Sequence, residues 1–222
     1  MDDAKEIILV GERLLLLPQR ALFWPAKRLL VIADIHFGKA ASFRAGGIPV
    51  PRGTTTENLC ALDALIDHWQ PTQVLFLGDF LHARHAHAAA TMAVITAWRT
   101  RRLALELTLV RGNHDRHAGD PPTALGMLVV DEPWPIGPFL FAHHPEPQPH
   151  GYVLAGHVHP VFRLATRGDA LRLPCFLFSE STGVLPSFGA FTGGHPVLPT
   201  RGDRLFVAAE DRVLEIPVEM LS

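Results

Sequence analysis

Leu105-Glu106-Leu107-Thr108-Leu109-Val110-Arg111-Gly112-Asn113-His114-Asp115 is the stretch on which the fold and the chemistry of this chain turn. The apolar run Leu105 to Val110 has strand character. Within a few residues of its end come an amide, an imidazole and a carboxylate. A strand that ends in three adjacent polar side chains makes a poor core, so its end reads as a site. Taken alone it could equally be a turn, because Gly-Asn and His-Asp are ordinary turn residues. The surrounding sequence decides.

Working outward towards the N-terminus, the spacing predicts a helix over Ala86 to Arg101 and a strand over Val74 to Leu77. Before these, Leu59, Leu62, Leu65, Ile66 and Trp69 form a helical stripe that ends ahead of Pro71. Thr54 and Glu57 stand at capping-box spacing in front of it. Residues 37 to 53 read as a loop carrying Lys39, Arg44 and Arg52, and Leu29 to Ala33 as a strand buried on both faces. Ile7 to Val10 and Leu14 to Leu17 flank Gly11-Glu12 as a hairpin. This is β-α-β-α-β, the pattern of a layered α/β fold.

Towards the C-terminus the texture changes. Short apolar runs at Phe139 to Ala142, Tyr152 to Ala155, Val161 to Leu164, Leu171 to Phe178, Arg204 to Ala208 and Val213 to Ile216 are separated by Gly and Pro. That is strand-turn-strand composition with little helix. The expectation is one domain over residues 1–222, of α/β class, in which a two-sheet β-sandwich is flanked by helices.

Composition narrows the function classes. A net charge of −2 gives no global basic field to attract nucleic acid. The seventeen arginines against three lysines reflect base composition as readily as phosphate recognition. Cys60 and Cys175 make no disulfide framework and read as reduced, buried thiols. The N-terminus has no signal-peptide pattern, and Leu14 to Leu17 is too short to span a bilayer. The chain reads as cytoplasmic, without a membrane partner.

Five polar clusters lie at the ends of apolar runs: Asp34-Ile35-His36, Gly78-Asp79, Gly112 to Asp115, His143-His144, and Gly156-His157-Val158-His159. Open α/β sheets place ligands at the carboxyl ends of their strands. In Asp34-x-His36 and His157-x-His159 the alternation of an extended chain puts both side chains on one face, so each pair could clasp one ion. Any single cluster is more often surface decoration. Five together make a site. Oxygen and imidazole donors without thiolate suit Mn²⁺, Fe or Zn, and a carboxylate can bridge two ions.

The order D-x-H, G-D, G-N-H-D, H, G-H-x-H over residues 34 to 159 resembles the calcineurin-like metallophosphoesterase superfamily. Flanking text narrows this. Ala33 to Lys39, Gly47-Ile48-Pro49-Val50-Pro51, Leu77 to His82, Leu173-Pro174-Cys175-Phe176 and Leu185 to Gly194 resemble the bacterial DNA ligase-associated metallophosphoesterase family (PdeM).

The resemblance implies two divalent ions, Mn²⁺ ahead of Fe or Zn. One would be held by Asp34, His36 and His159, the other by Asn113, His143 and His157, with Asp79 bridging both. His143 is preferred over His144 because the strand runs directly into it; His144 would then either support the ligands from behind or face substrate. His114 is the expected general acid, with Asp115 orienting it or holding it protonated. His82, three residues after Asp79, resembles a substrate contact of nucleases in the superfamily.

The family further implies a DNA phosphodiester as substrate, cleaved endonucleolytically in repair alongside ligase and helicase partners. Two alternatives stand beside it: a hydrolase of nucleotides or other small phosphoesters, and a metal-binding scaffold without catalysis. Arg84, Arg111, Arg116, Lys39, Arg44 and Arg52 could line a phosphate track.

Overall fold

A computed structural model describes residues 3–50, 53–166, 169–190 and 192–218. Of the residues singled out above, Pro51, Arg52 and Phe191 of the Leu185 to Gly194 stretch lie outside the described residues.

In chain order the elements are β1 (Lys5–Leu9), β2 (Glu12–Leu17), β3 (Ala21–Trp24), β4 (Leu29–Ala33), α1 (Lys39–Ala45), α2 (Thr54–Trp69), β5 (Gln73–Leu77), α3 (Ala89–Arg101), β6 (Glu106–Val110) and α4 (Asn113–Ala118). There follow β7 (Met127–Val130), β8 (Trp134–Ile136), β9 (Phe139–Ala142), β10 (Tyr152–Ala155), β11 (Pro160–Thr166), β12 (Asp169–Phe178), β13 (Thr182–Val184), β14 (His195–Pro196), β15 (Arg204–Ala209) and β16 (Arg212–Ile216).

The first sheet runs β1 to β7 in sequence order, antiparallel through β4 and parallel from β4 to β7. The second carries the remaining strands, with β9, β10 and β13 as a parallel centre.

Side-chain alternation explains the layering. Leu15, Leu17, Leu30, Ile32, Val74, Phe76, Leu107 and Leu109 leave one face of the first sheet and pack against Leu59, Leu62, Leu65 and Ile66 of α2 and Ile95 and Trp98 of α3. Their neighbours Leu14, Leu16, Leu29, Val31, Leu75, Leu77 and Val110 leave the other face and meet Phe139, Phe141, Leu154, Phe176 and Phe206 of the second sheet. Strands buried on both faces need unbroken apolar runs, which is what β4 and β5 have. The expected two-sheet sandwich with helices is therefore present.

Four local expectations fail. The loop predicted over 37–53 contains α1, too short to show a period in sequence. Thr54 is the first residue of α2 rather than its cap; Gly53 occupies that position and no side chain caps it. Asn113 to Ala118 is a short helix, so Gly112 is a helix start as well as a strand end. Cys60 is exposed, because the stripe Leu59, Leu62, Leu65, Ile66 turns position 60 to the outside; Cys175 is buried as expected. Among the described residues no helix is long and apolar enough to cross a membrane.

Registry positions the site. Ala33, Leu77 and Val110 stand side by side at the carboxyl ends of β4, β5 and β6. Ala142, Ala155 and Val184 do the same in the second sheet. At Gly156 the two rows touch. A methyl there would lie 2.6 Å from Asp34 Oδ2 and 3.1 Å from the Leu77 carbonyl, so glycine sets how near the sheets come.

Candidate active site

The chain does not leave the strands in extended form. Asp34, His36, Asp79, His157 and His159 all have left-handed backbone, with φ of 52°, 50°, 50°, 66° and 50°. The expected mechanism of convergence, alternation along an extended chain, is therefore replaced by tight turns that curl each side chain back towards its strand. Left-handed non-glycine residues are costly and gather at functional sites. Hydrogen bonds hold the turns in place. His36 N–H donates to the Asp79 carbonyl at 2.8 Å and Phe37 N–H to that of Phe80 at 2.8 Å. Ser187 Oγ donates to the Asp34 carbonyl at 2.8 Å.

One consequence is that His157 and His159 part company. His159 groups with Asp34 and His36, whereas His157 groups with His143 and His144. The two carboxylates sit at the centre: Asp34 is 0% exposed and Asp79 2%. Their ion-pair neighbours among the described residues are histidines, at 3.5 to 4.0 Å.

The donor atoms face one another. A carbonyl oxygen only accepts, so His143, at 3.0 Å from the Leu77 carbonyl through Nδ1, carries its proton there. That leaves Nε2 as a lone pair 2.9 Å from Asn113 Oδ1 and 3.5 Å from Asp79 Oδ1. His159 is anchored likewise through Nδ1 to the Thr192 carbonyl at 3.3 Å. Its Nε2 approaches His36 Nε2 at 3.4 Å and Asp34 Oδ1 at 3.5 Å. Asp34 Oδ1 is buried and has no hydrogen-bond partner among the described residues. Imidazoles that give one N–H to a backbone carbonyl and turn the other nitrogen inward are arranged as metal ligands are. An orphaned buried carboxylate oxygen among them calls for a cation. The residues fit a divalent metal.

The electrostatics agree. Burial and the neighbouring Asp34 charge push the Asp79 carboxyl up to about 6. Burial, followed by the charges of Lys39 and the surrounding histidines, holds His36 far below the usual imidazole range. The carboxylate is thus short of positive charge, and the imidazole is kept neutral with a lone pair to offer.

Of the adjacent pair, His143 is the inner residue and fully buried. His144 is half-exposed, its Nδ1 2.8 Å from Glu132 Oε1. Glu132 Oε2 also accepts the backbone N–H groups of His143 and His144, at 2.8 and 2.9 Å.

Above the carboxylates stand His114 and His82. Their rings stack with centroids 4.7 Å apart and planes at 22°. His114 Nδ1 donates to the His82 carbonyl at 2.6 Å, which turns its Nε2 towards Asp79 Oδ2, 4.0 Å away. Burial pulls the His82 imidazole down to about 4, helped by the charge of His114.

Asp115 does not do what its place in the sequence suggested. Its Oδ1 accepts Leu81 N–H and its Oδ2 Gly112 N–H, each at 3.0 Å. Both oxygens are spent on backbone, so Asp115 ties the Asp79 turn to the start of α4 instead of orienting the His114 ring.

Several contributors escaped the sequence reading. Asn58, buried in α2, donates to the Ile35 carbonyl at 3.0 Å and accepts Ala190 N–H at 3.0 Å, bracing two loops at once. Ser187 and Glu132 were missed too. Ser187 lies in the Leu185 to Gly194 stretch but was given no role there, Glu132 sits in no motif, and for Asn58 the signal was an amide on the buried stripe of α2. Of the proposed phosphate track, Arg111 and Arg116 are bound up with Asp120 and Asp131. Arg84 donates to the His117 carbonyl. Arg44 donates to the Val50 carbonyl, and Lys39 reaches the site's wall through the Thr192 carbonyl.

Comparison with known proteins agrees with this geometry. The model of the calcineurin-like phosphoesterase family matches residues 27–146, a span that holds all the clusters except Gly156 to His159. The chain belongs to that family. It is accordingly a metal-dependent phosphoesterase, with Asp and His clusters able to hold divalent ions.

Among solved structures it is similar to the nuclease MPE of Pseudomonas putida. The two are 46% identical over 96% of this chain and 100% of that one, with a TM-score of 0.86. This likeness is consistent with the ligase-associated branch of the family. More distant are a protein of unknown function from Aquifex aeolicus and the phosphoesterase Yfce from E. coli. The first is 18% identical over 59% of this chain and 78% of that one, with a TM-score of 0.40. The second is 15% identical over 87% of this chain and 94% of that one, with a TM-score of 0.38. No curated protein matched the chain.

Proposed function

We propose that this phosphoesterase is a dinuclear phosphodiesterase that cleaves DNA internally, in the cytoplasm, as part of a repair system with ligase and helicase. The observation that carries this reading is the 46% identity to a nuclease across nearly the whole chain. It is supported by the half-exposed His114–His82 stack, which leaves the site open to a polymer. The whole chain would work as one metallophosphoesterase domain.

Asp34, His36 and His159 would hold one ion and Asn113, His143 and His157 another, with Asp79 between them. Mn²⁺ suits this oxygen and nitrogen set, with Fe or Zn as alternatives. When bound, divalent ions in such a site acidify water and neutralise phosphoryl charge. The rest falls to the chain. As water adds to phosphorus and the bond from phosphorus to the leaving oxygen breaks, His114 gives that oxygen a proton from Nε2, keeping its Nδ1 proton in the hydrogen bond to the His82 carbonyl. His82 keeps His114 flat against the site and faces the strand. Asp115 keeps the turn bearing Asp79 in register with His114.

The test is Mn²⁺-dependent hydrolysis of a chromogenic phosphodiester beside the matching monoester, with supercoiled and single-stranded DNA in parallel. Diester turnover and nicking, both lost in Asp79→Asn, with nicking lost in His114→Ala, is the expected result. Turnover of the small diester with all DNA intact overturns the endonuclease reading. No turnover of any substrate, with metal bound, leaves a scaffold.

A further inference from the structure

One nitrogen beside the site is left over from the chemistry above. His144 belongs to neither proposed ligand set, yet it is held as a ligand is. The two oxygens of Glu132 take three N–H groups. Oε2 accepts the backbone N–H of His143 and of His144, at 2.8 and 2.9 Å, and Oε1 faces His144 Nδ1 at 2.8 Å. An ionised carboxylate only accepts, so the ring proton of His144 sits on Nδ1. Its Nε2 is then a lone pair that no described residue hydrogen-bonds. A carboxylate behind one imidazole nitrogen, with the other nitrogen turned free, is the support that metal-bound histidines have.

His144 does not stand alone. With His143 and His157 it makes a trio whose donor atoms lie within 4.8 Å of one another. The ring centres are 4.8, 4.8 and 4.5 Å apart and the planes meet at 81°, 73° and 55°. No pair lies flat, as suits rings whose in-plane lone pairs converge. Asp34, Asp79 and His143 form a separate group on the inner side, and His143 is common to both. An ion beside His143 Nε2 therefore has two sets of partners on offer. The inner set adds the oxygens of Asn113 and Asp79. The outer set adds two imidazoles at an edge open to solvent, His144 half-exposed and His157 exposed. Mixed oxygen and nitrogen donors suit Mn²⁺, whereas three neutral imidazoles suit tetrahedral Zn²⁺.

We infer that His143, His144 and His157, backed by Glu132, form an outer site that takes Zn²⁺ in preference to Mn²⁺, and that Zn²⁺ there inhibits the enzyme by withdrawing His143 and His157 from the inner centre. This rests on the proposed assignment of those two histidines to the second ion. It gives His144 and Glu132 a use in telling metals apart. Zn²⁺ outranks Mn²⁺ at most nitrogen and oxygen sites, and here its stronger pull leads away from the central carboxylate.

The experiment measures Zn²⁺ affinity by competition with a chromophoric chelator and Mn²⁺ affinity by the EPR signal of the free ion. Wild type is compared with His144→Ala, His144→Gln and Glu132→Gln. Glu132→Gln keeps the shape and loses the charge, and should weaken Zn²⁺ about 10–100-fold, as loss of the group behind a histidine ligand does. Both His144 variants should weaken Zn²⁺ at least as much. Mn²⁺ affinity, which draws on Asp79 and Asn113 instead, should fall by less in all three. Zn²⁺ added to the Mn²⁺-loaded wild type should inhibit, with an inhibition constant that rises in the variants by the factor lost in binding.

Equal loss of both ions in the two His144 variants would make His144 a prop of the inner centre, and unchanged Zn²⁺ affinity would remove it as a ligand. Either result overturns the outer site and leaves the phosphodiesterase standing. Zn²⁺ binding that depends on His144, in a protein that binds no Mn²⁺, overturns the dinuclear reading and leaves the three-histidine site in place.

Discussion

Ten non-glycine residues among those described have left-handed backbone, and they divide evenly into two kinds. Val10, Arg20, Arg28, Gln70 and Glu210 lie in turns away from the site. Asp34, His36, Asp79, His157 and His159 lie where the two sheets end together. The strain is the same in both, but its use differs. In the turns the chain has to reverse or a helix to end, and the side chains do no more than bind backbone carbonyls, as Arg28 and Gln70 do. At the rim the side chain is the purpose: an extended residue in the same place would project along the sheet, and the donor atoms would never meet. Backbone cost in the first group is expendable, whereas in the second it is inseparable from chemistry.

The largest effect is expected at the centre of the rim. Asp79→Asn should lower phosphoesterase turnover at least a thousandfold, about 4 kcal/mol of charge stabilisation. The same change should raise the melting temperature of the metal-free protein at pH 7.5, since it removes a buried charge that burial and Asp34 oppose. A lower melting temperature in the metal-free variant would sink the idea that function and stability conflict at this residue.

Next comes a pair of glycines that look alike in sequence. A methyl on Gly78 would fall within the His143 ring and 2.9 Å from the Gly112 Cα, whereas a methyl on Gly11 meets nothing within 4 Å. Both have positive φ, at 75° and 80°. Gly11→Ala should therefore cost only the left-handed penalty, about 1–2 kcal/mol in a denaturant titration. Gly78→Ala should cost about 2–4 kcal/mol and remove the stabilisation by Mn²⁺ as well. Equal losses would erase the distinction between rim and turn.

The third concerns pH. Burial pushes Asp115 up to about 6, against the pull of its amide hydrogen bonds, and Asp79 stands at about 6 for the reasons given. A carboxyl raised in the folded state favours folding below its unfolded pKa of about 3.9 and loses that contribution as pH rises through the folded value. The metal-free protein should thus lose stability between about pH 4 and pH 6. Divalent metal needs the deprotonated ligand, so the thermal shift caused by Mn²⁺ should grow across the same window. A thermal shift that is flat from pH 5 to pH 8 would refute this.

The smallest effect is at Val10, a β-branched residue at φ 48° followed by Gly11 at φ 80°. Val10→Asn supplies the residue that such a two-residue hairpin favours, and should stabilise by roughly 0.5–1 kcal/mol with turnover unaltered.

What could be read from the sequence follows the same division. The strands leading to the rim were legible because strands buried on both faces must be apolar throughout, and the polar clusters stood out against them. The residues to be gathered were therefore visible, from Asp34 to His159. How they gather was not, because left-handed turns at Asp, His and Asp carry no compositional mark. Helix α1 was missed for a similar reason: seven residues span two turns, too few to show a period. Asp115 was misassigned because adjacency in Asn-His-Asp suggested a partnership, while the helical start at Gly112 points its carboxylate back at the backbone. Asn58 showed in sequence only as an amide on a buried stripe; its role as a brace needed two loops, distant in sequence, to lie on either side of it.

That last residue bears on when the site can form. Through Asn58, the loop after β4 is held to Ala190, and the proposed ligand set is incomplete until His159 has been made. No N-terminal fragment that stops short of Ala190 has both rows of strand ends and the brace between them. The proposed hydrolytic centre therefore closes late in synthesis.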